Sequence, residues 1–198
     1  MRIEVWFEFA STYSYPAISR IGALAAENGI DISWCPFLLG PIFKEQGWPD
    51  SPFNLFPNKG AYMWRDLERI CARLNIPFKN PSVFPRNGLL PARVACYHRR
   101  EEWVGDFIKA IYEVNFVNDA DISAPAVVCE CLAKLGVDPD HAITIACSDT
   151  GKRMLKEETD RAISLGIFGA PTFIVDGELF WGNDRIDDAI HWCKSNAT

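Results

Sequence analysis

The sequence contains no Cys-x-x-Cys pair, although it has seven cysteines among its 198 residues. A dithiol–disulfide centre typically uses two cysteines at that spacing, so we do not expect this chain to carry electrons on thiols of its own. The number is odd, and most of the seven lie at apolar positions of predicted helices or strands. We interpret them as small apolar side chains in a reducing compartment: Cys35, Cys71, Cys96, Cys129, Cys131, Cys147 and Cys193.

The sequence also has few candidate metal ligands. Cys129-Glu130-Cys131 is a close cysteine pair, but no cluster of histidines matches it, so it is a weak metal signal. The three histidines are far apart and lie among charged residues, which is typical of solvated side chains: His98, His141 and His191. We expect no metal site.

Long apolar runs are missing as well. No segment approaches the ~18 apolar residues that span a membrane, and no basic segment with an apolar core precedes the first strand. The net charge of −6 and the pI near 5.1 argue against nucleic acid or an acidic membrane as partner. We therefore expect a cytoplasmic protein that works on neither.

What the sequence does contain is strand patterning at its two ends. Residues 2–9 alternate as a strand, a helix runs to Asn28 with Gly29 as its stop, and residues 30–37 form a second strand, predicting a parallel βαβ unit. Near the other end, residues 172–181 predict a hairpin that turns at Asp176-Gly177, and a final helix follows.

The middle of the chain is predicted to be helical, with two ordered loops. The first loop covers residues 40–58, and the second covers residues 77–88. Apolar spacing and helix start and stop signals predict helices ending at Leu74, from Pro91 to Phe116, from Pro125 to Gly136, from Pro139 to Ala146, and from Asp149 to Leu165.

This order of elements predicts an α/β protein of the thioredoxin-like fold with a large all-helical insertion. Without the insertion, the remainder is a mixed sheet flanked by helices, which is the thioredoxin arrangement. We assign residues 1–57 and 149–198 to a discontinuous thioredoxin-like domain, and residues 58–148 to an inserted helical domain.

The corner between the first strand and helix holds Ser11 and Ser14, where a redox protein of this fold carries its two cysteines. A hydroxyl cannot shuttle electrons, but it can donate a hydrogen bond to a thiolate that another molecule supplies. Ser11 is therefore either a helix N-cap or the donor that stabilises the thiolate of bound glutathione, helped by the helix dipole.

The Ala170-Pro171 pair precedes the hairpin, where this fold carries a cis-proline loop facing the Ser11 corner. We predict a cis bond, which presents the main chain of Ala170 to an extended peptide such as glutathione. Asn183 and Asp184 open the last helix. They either cap it or bind the γ-glutamyl carboxylate and ammonium of glutathione.

Lys59 lies at the start of the first insertion helix. It is either solvated or, at a glutathione site, paired with the glycyl carboxylate. Aromatic residues around it are expected mostly to pack, while some wall a flat aromatic substrate: Tyr13, Phe43, Trp48, Phe53, Phe56, Tyr62 and Trp64.

Four segments together resemble the 2-hydroxychromene-2-carboxylate isomerase family, which is similar to the kappa-class glutathione transferases and belongs with the DsbA-like branch of the thioredoxin superfamily. In chain order they are Phe7-Glu-Phe-Ala-Ser-Thr-Tyr-Ser-Tyr15, Pro57-Asn-Lys-Gly-Ala-Tyr-Met-Trp-Arg-Asp-Leu-Glu-Arg69, Phe168-Gly-Ala-Pro-Thr-Phe173 and Phe180-Trp-Gly-Asn-Asp-Arg185. Two features depart from the family: Thr12 replaces the usual proline, and a glutathione-contacting asparagine has no clear counterpart.

The resemblance implies roles for individual residues. It places the family's catalytic serine at Ser11, its glutathione lysine at Lys59, its backbone-pairing residue at Ala170 before Pro171, and its γ-glutamyl contacts at Asn183 and Asp184. It also implies a homodimer.

The implied reaction is a glutathione-dependent isomerisation of 2-hydroxychromene-2-carboxylate and trans-o-hydroxybenzylidenepyruvate, or of a related aromatic carboxylate, in aromatic hydrocarbon catabolism. The glutathione thiolate adds reversibly, and no metal takes part. Three alternatives stay open: a kappa-class-like glutathione transferase or peroxidase, a non-enzymatic thioredoxin-like binding module, and a disulfide oxidoreductase, which the serines at 11 and 14 disfavour.

Overall fold

Residues 1–195, which the computed structural model describes, contain a four-stranded mixed sheet. Its strands are β1 (Arg2–Phe7), β2 (Asp31–Pro36), β3 (Thr172–Val175) and β4 (Glu178–Trp181), in the spatial order β2-β1-β3-β4. β1 pairs with β2 in parallel, whereas β3 pairs antiparallel with both β1 and β4. The arrangement is the thioredoxin-like sheet that the sequence predicts.

Helices make up most of the rest. They are α1 (Ser14–Glu27), α2 (Leu39–Glu45), α3 (Pro52–Leu55), α4 (Pro57–Leu74), α5 (Leu89–Tyr97), α6 (Val104–Phe116), α7 (Pro125–Lys134), α8 (Pro139–Ala146), α9 (Asp149–Ser164) and α10 (Ile186–Ser195), with a 3₁₀ turn at Asn183–Arg185. No helix of this described part is both long enough and apolar enough to cross a membrane.

The chain reversals follow local sequence signals. Gly29 ends α1 with a φ of +65°, a conformation that glycine adopts without steric cost. At the hairpin, Asp176 and Gly177 both have positive φ, as a type I′ turn requires, and β3 and β4 pair on either side of them. The Asp138 side chain caps α8 by accepting hydrogen bonds from two backbone N–H groups.

The central strand β1 is covered on both faces. Ile3, Val5 and Phe7 point into the larger buried cluster, which includes side chains of α1, α5 and α6. Trp6 points to the opposite face, into a smaller cluster with side chains of the β2–α2 region and α9. Because the larger cluster joins sheet and helices from 58–148, the two predicted domains share one core. The division itself stays a prediction, and residues 196–198 of its second segment lie outside the described residues.

Two sequence expectations about the helices and loops, and one about a histidine, were wrong in detail. The predicted loop at 40–58 contains α2 and α3, and α4 begins within it at Pro57. The helix expected from Pro91 to Phe116 is interrupted between Tyr97 and Val104. His98 lies at this interruption and is half-buried instead of solvated, since its ring packs against Tyr97 and Trp103 with centroid distances of 5.1 Å to each.

The cysteines behave as apolar side chains. All seven are free, and five are buried: Cys35, Cys71, Cys96, Cys131 and Cys193. Burial raises the pKa of the Cys71 thiol to about 11 and that of Cys96 to about 12, so neither is a ready nucleophile. In the described residues, no group of three or more potential ligands is arranged to hold a metal ion.

Candidate functional site

A cavity of about 770 Å³ opens where the carboxyl ends of β1 and β2 meet the amino end of β3. Its volume lies within the range of small-molecule sites. Four stretches of chain form its walls: the corner after β1, the α2–α4 region, the loop before α5, and the segments flanking the hairpin. Its lining includes Glu8, Ser11, Tyr13, Phe43, Trp48, Phe53, Lys59, Tyr62, Arg86, Phe168, Ala170 and Trp181.

Ser11 lies in the cavity wall between strand and helix. Its hydroxyl donates a hydrogen bond to the carbonyl oxygen of Ala170 at 2.9 Å and accepts one from the backbone N–H of Ser14 at 3.3 Å. Helix α1 begins at Ser14, and its N-cap position is Tyr13, so Ser11 is not the N-cap residue by position. Its hydroxyl nevertheless satisfies one N–H at the start of the helix, and it directs its proton to the carbonyl of Ala170, which also lines the cavity.

The Ala170–Pro171 peptide bond is cis, as the sequence predicts. Ala170 lines the cavity, whereas Pro171 is buried behind it and is not part of the lining. The Pro171 carbonyl accepts a hydrogen bond from the Gly182 N–H at 2.9 Å, and the Thr172 hydroxyl donates to the Gly169 carbonyl at 2.9 Å. These bonds fix the loop, so Ala170 presents its main chain to the Ser11 corner.

Lys59 lies in the first turn of α4 and lines the cavity. Its side chain is exposed, and the ammonium lies 5.1 Å from the centroid of the Phe56 ring. None of the ion pairs found within residues 1–195 involves Lys59. A cation next to the positive end of a helix can hold a carboxylate at this wall.

Asn183 and Asp184 are not among the residues that line the cavity. They lie in the 3₁₀ turn Asn183–Arg185 that precedes α10. The N-cap position of this turn is Gly182, and no side chain caps it. Asn183 is buried, and its side-chain oxygen has no hydrogen-bond partner within the described part of the chain. Asp184 is exposed, and its charge contributes to the raised pKa of Tyr13, which borders the cavity.

Glu8 is a cavity residue that the sequence reasoning missed. It follows β1 and is half-buried, and its Oε2 accepts a hydrogen bond from the Ala10 N–H at 2.9 Å. Burial raises the pKa of the Glu8 carboxyl from 4.5 to about 7, against the opposing effect of the N–H groups of Ala10 and Ser11. One available signal was an acidic residue at the end of an apolar strand, three positions before Ser11.

The loop before α5 was predicted as ordered, but its role in the cavity wall was missed. The Phe84–Pro85 bond in it is cis. Arg86 is buried and forms an ion pair with Asp119, and it donates to the Asn115 side chain at 3.0 Å. Asn115 in turn donates to the Phe9 carbonyl at 3.2 Å, which ties this loop to the turn that precedes Ser11. No sequence pattern links residues so far apart.

The aromatic expectation divides into two groups. Five of the seven aromatics line the cavity, namely Tyr13, Phe43, Trp48, Phe53 and Tyr62. Phe56 and Trp64 do not, since Phe56 lies under Lys59, and Trp64 packs edge-on against Phe84 with ring centroids 4.9 Å apart. Two further aromatics were missed, because Phe168 and Trp181 pack together at 4.9 Å in the cavity wall. The walls therefore suit a flat apolar ligand.

Comparison with known proteins places these features in a family. Residues 2–190 match the model of the DSBA-like thioredoxin domain. A 2-hydroxychromene-2-carboxylate isomerase of Sphingobium xenophagum is 30% identical, with 93% of this chain and 94% of that protein covered. The human glutathione S-transferase kappa 1 is 26% identical, over 96% of this chain and 89% of its own.

A solved structure of a 2-hydroxychromene-2-carboxylate isomerase superposes with a TM-score of 0.86 at 25% identity. The superposition covers 100% of this chain and 98% of that one. The similarity extends over the helical segment as well as the sheet.

Proposed function

We propose that this chain is a glutathione-dependent isomerase of a hydroxychromene carboxylate or a related aromatic carboxylate. The chain belongs to the DSBA-like thioredoxin-domain family and, within it, to the family of 2-hydroxychromene-2-carboxylate isomerases. Its similarity to 2-hydroxychromene-2-carboxylate isomerases over nearly the full length identifies it as an isomerase-type enzyme. The reaction, the glutathione dependence and the residue roles below are our proposal.

The observation that carries the proposal is the hydrogen bond between Ser11 and Ala170 within the cavity. Glutathione offers a complementary pair of groups, a cysteinyl N–H and a thiolate. The N–H can take over the Ala170 carbonyl, while the freed Ser11 hydroxyl turns its proton to the sulfur. A charge-assisted hydrogen bond and the N-terminus of α1 then both favour the thiolate.

The two charged ends of glutathione are complementary to charged groups on either side of the Ser11–Ala170 pair. Lys59 and the first turn of α4 suit the glycyl carboxylate. Asn183 and Asp184 lie outside the cavity lining, but the Asp184 charge acts on Tyr13, which borders the cavity, and it suits the γ-glutamyl ammonium. The unpartnered side-chain oxygen of buried Asn183 supports a ligand at that end, because buried polar atoms normally have a partner.

The reaction we propose is a reversible addition. The thiolate adds to the benzylic carbon of the ring-opened unsaturated ketone, the former double bond becomes single and rotates, and elimination of the thiolate gives the other isomer. Aromatic side chains hold the flat substrate over the thiolate, and this positioning of the two reactants contributes to the rate. Glutathione is not consumed. We further propose, from the family resemblance, a homodimer that works in the cytoplasm in aromatic catabolism.

A kappa-class type of glutathione transfer is the second candidate, because a kappa transferase is 26% identical over nearly the whole chain. It uses the same thiolate site, but the sulfur ends in the product. The two candidates therefore differ in whether glutathione is lost during turnover.

One experiment tests both candidates. Conversion of 2-hydroxychromene-2-carboxylate is followed by absorbance with and without glutathione, and free glutathione is measured before and after many turnovers. We expect conversion only with glutathione and no net loss of it. Conversion without glutathione would refute the glutathione dependence, and stoichiometric loss would favour the transferase. Binding of glutathione without any conversion would favour a non-enzymatic binding module.

A further inference from the structure

We propose that the Glu8 carboxylate takes the proton from the glutathione thiol and returns it to the substrate during addition. This inference rests on the proposed function, since it assigns a group to the proton that the isomerisation must move. It concerns a residue outside the predicted site set, which comprises Ser11, Lys59, Ala170, Pro171, Asn183 and Asp184.

The first argument is position. Glu8 and Ser11 are the two ends of one tight turn, closed by a hydrogen bond from the Ser11 N–H to the Glu8 carbonyl at 2.9 Å. Both residues line the same cavity. The Glu8 side chain folds back onto this turn through its bond to Ala10, and its other carboxylate oxygen lies beside Gly88, 3.3 Å from where a Cβ would stand. The carboxyl therefore lies in the wall next to the corner that presents the Ser11 hydroxyl.

The second argument is the set of groups that face Glu8. From α6, the Tyr112 hydroxyl donates to the Glu8 carbonyl at 2.7 Å, and burial keeps the pKa of that phenol well above 10, so it is neutral. From the loop before α5, Arg86 lines the cavity but is paired with Asp119. Across residues 1–195, no cation forms an ion pair with Glu8.

Other charged and titratable groups belong to the cavity wall or to β1. Lys59 and Tyr13 border the same cavity from α4 and from the corner before α1, and Tyr13 donates to Asp66 at 3.1 Å. Glu4, on β1, pairs with Arg161 of α9. The Glu8 carboxylate is thus held by the Ala10 N–H and by burial, with a pKa of about 7. This is the range in which an acid–base group exchanges protons efficiently at neutral pH.

The proposed step balances without any further reactant. Glu8 carboxylate accepts the thiol proton and becomes neutral, directly or through one water. The thiolate forms the carbon–sulfur bond, the carbon–carbon double bond shifts, and the ketone oxygen receives the electron pair. Protonated Glu8 gives its proton to that oxygen, which yields an enol. After rotation the carboxylate removes the enol proton, the double bond reforms, and the carbon–sulfur bond breaks.

Two variants and a control test this role. Glu8→Gln keeps the acceptor for Ala10 but cannot move a proton, whereas Glu8→Asp keeps a carboxylate on a shorter side chain. We expect Glu8→Gln to lower kcat about 100-fold or more, with a KM for glutathione near that of the wild type. We expect Glu8→Asp to recover part of the rate. Glu178→Gln, at an exposed position of β4, is the matched control and keeps the wild-type rate.

The decisive readouts are the pH profile and the ionisation of bound glutathione. In wild type, the ultraviolet absorbance of the bound thiolate and kcat/KM should both show a transition near pH 7 that Glu8→Gln loses. Equal loss of rate in Glu8→Gln and Glu8→Asp with an unchanged pH profile would mean that Glu8 only holds the turn, and would overturn the proposal. Thiolate formation is measured without the chromene substrate. A failure of the isomerase assignment is therefore distinguishable from a failure of the proton-transfer role proposed for Glu8.

Discussion

The Ser11 hydroxyl and the Ala170 carbonyl lie 2.9 Å apart and hydrogen-bond across the cavity wall, although 159 positions separate them in the chain. The pair joins the corner after β1 to the cis-proline loop before β3. In the proposed function, the main chain of glutathione donates to the Ala170 carbonyl and the Ser11 hydroxyl donates to the sulfur.

The first prediction concerns Ser11→Ala. It removes the donor to the thiolate and leaves the main-chain acceptor of Ala170 in place. We expect kcat to fall about 100-fold, with glutathione affinity changed only slightly. Steady-state kinetics and calorimetric binding of glutathione check this, with Ser164→Ala on the exposed end of α9 as control. Full turnover in Ser11→Ala would refute the role of this hydroxyl.

A second prediction concerns Lys59→Ala. An exposed lysine that meets a carboxylate contributes on the order of 1 kcal/mol, so we expect the KM for glutathione to rise about five- to tenfold with kcat little changed. The effect should shrink as salt is added. Lys152→Ala, exposed on α9 and outside the cavity lining, is the control. An unchanged KM at low salt would contradict the assignment.

For the substrate wall, we predict that Trp181→Ala weakens the aromatic substrate selectively. Trp181 is 51% exposed and packs against Phe168 in the cavity wall, so its loss should cost little stability. We expect the KM for the chromene to rise several-fold while that for glutathione stays constant. Trp192→Ala, a partly exposed tryptophan on α10, serves as comparison. A rise in the glutathione KM instead would place the tripeptide, not the substrate, at this wall.

Asn115→Ala should destabilise the fold and disturb the site together. The Asn115 side chain is 2% exposed and bridges Arg86 and the Phe9 carbonyl, both of which lose a partner in the variant. We expect a loss of roughly 2–3 kcal/mol in the free energy of unfolding, measured in urea, together with lower turnover. Asn118→Ala, exposed three positions further on, should change neither; equal stability of the two variants would refute the bridge.

The last prediction is a pH dependence of stability. Because burial raises the pKa of Glu8 to about 7, the folded state binds this proton more tightly than the unfolded chain does. The associated stability is fully present below pH 4.5 and is lost as the pH rises through 7. Glu8→Gln escapes this loss, so its advantage over wild type should grow by about 2 kcal/mol between those limits. Thermal unfolding at several pH values measures it, and a constant difference would contradict the raised pKa.

Local signals predicted most of the fold. The Asp176-Gly177 turn, the stop at Gly29 and the cap at Asp138 each act within a few residues, so the sequence states them directly. Ser51 also caps α3 by accepting from the Phe53 N–H, with Pro52 behind it, and this short-range signal was available but unused. The break between α5 and α6 depends on the packing of His98 against Trp103, which periodicity alone does not reveal.

The site was predictable only in part, and the reason is distance along the chain. Ser11, Lys59 and Ala170 were named from the sequence and lie in one cavity, whereas Asn183 and Asp184 lie outside its lining. The environment of Glu8 escaped prediction because Tyr112 and Gly88, which lie against it, come from α6 and the start of α5. A buried carboxyl is a property of the folded surroundings, and no single segment contains them.

Ala170 contacts Ser11 through its main-chain carbonyl oxygen, an atom that any residue at that position would have. The Ala170 methyl group packs against the smaller buried cluster, so a larger side chain there would shift this part of the cavity wall without deleting the acceptor. A substitution at position 170 thus changes the shape of the wall while the contact with Ser11 persists, which makes this residue a natural place to alter which ligands the cavity accepts.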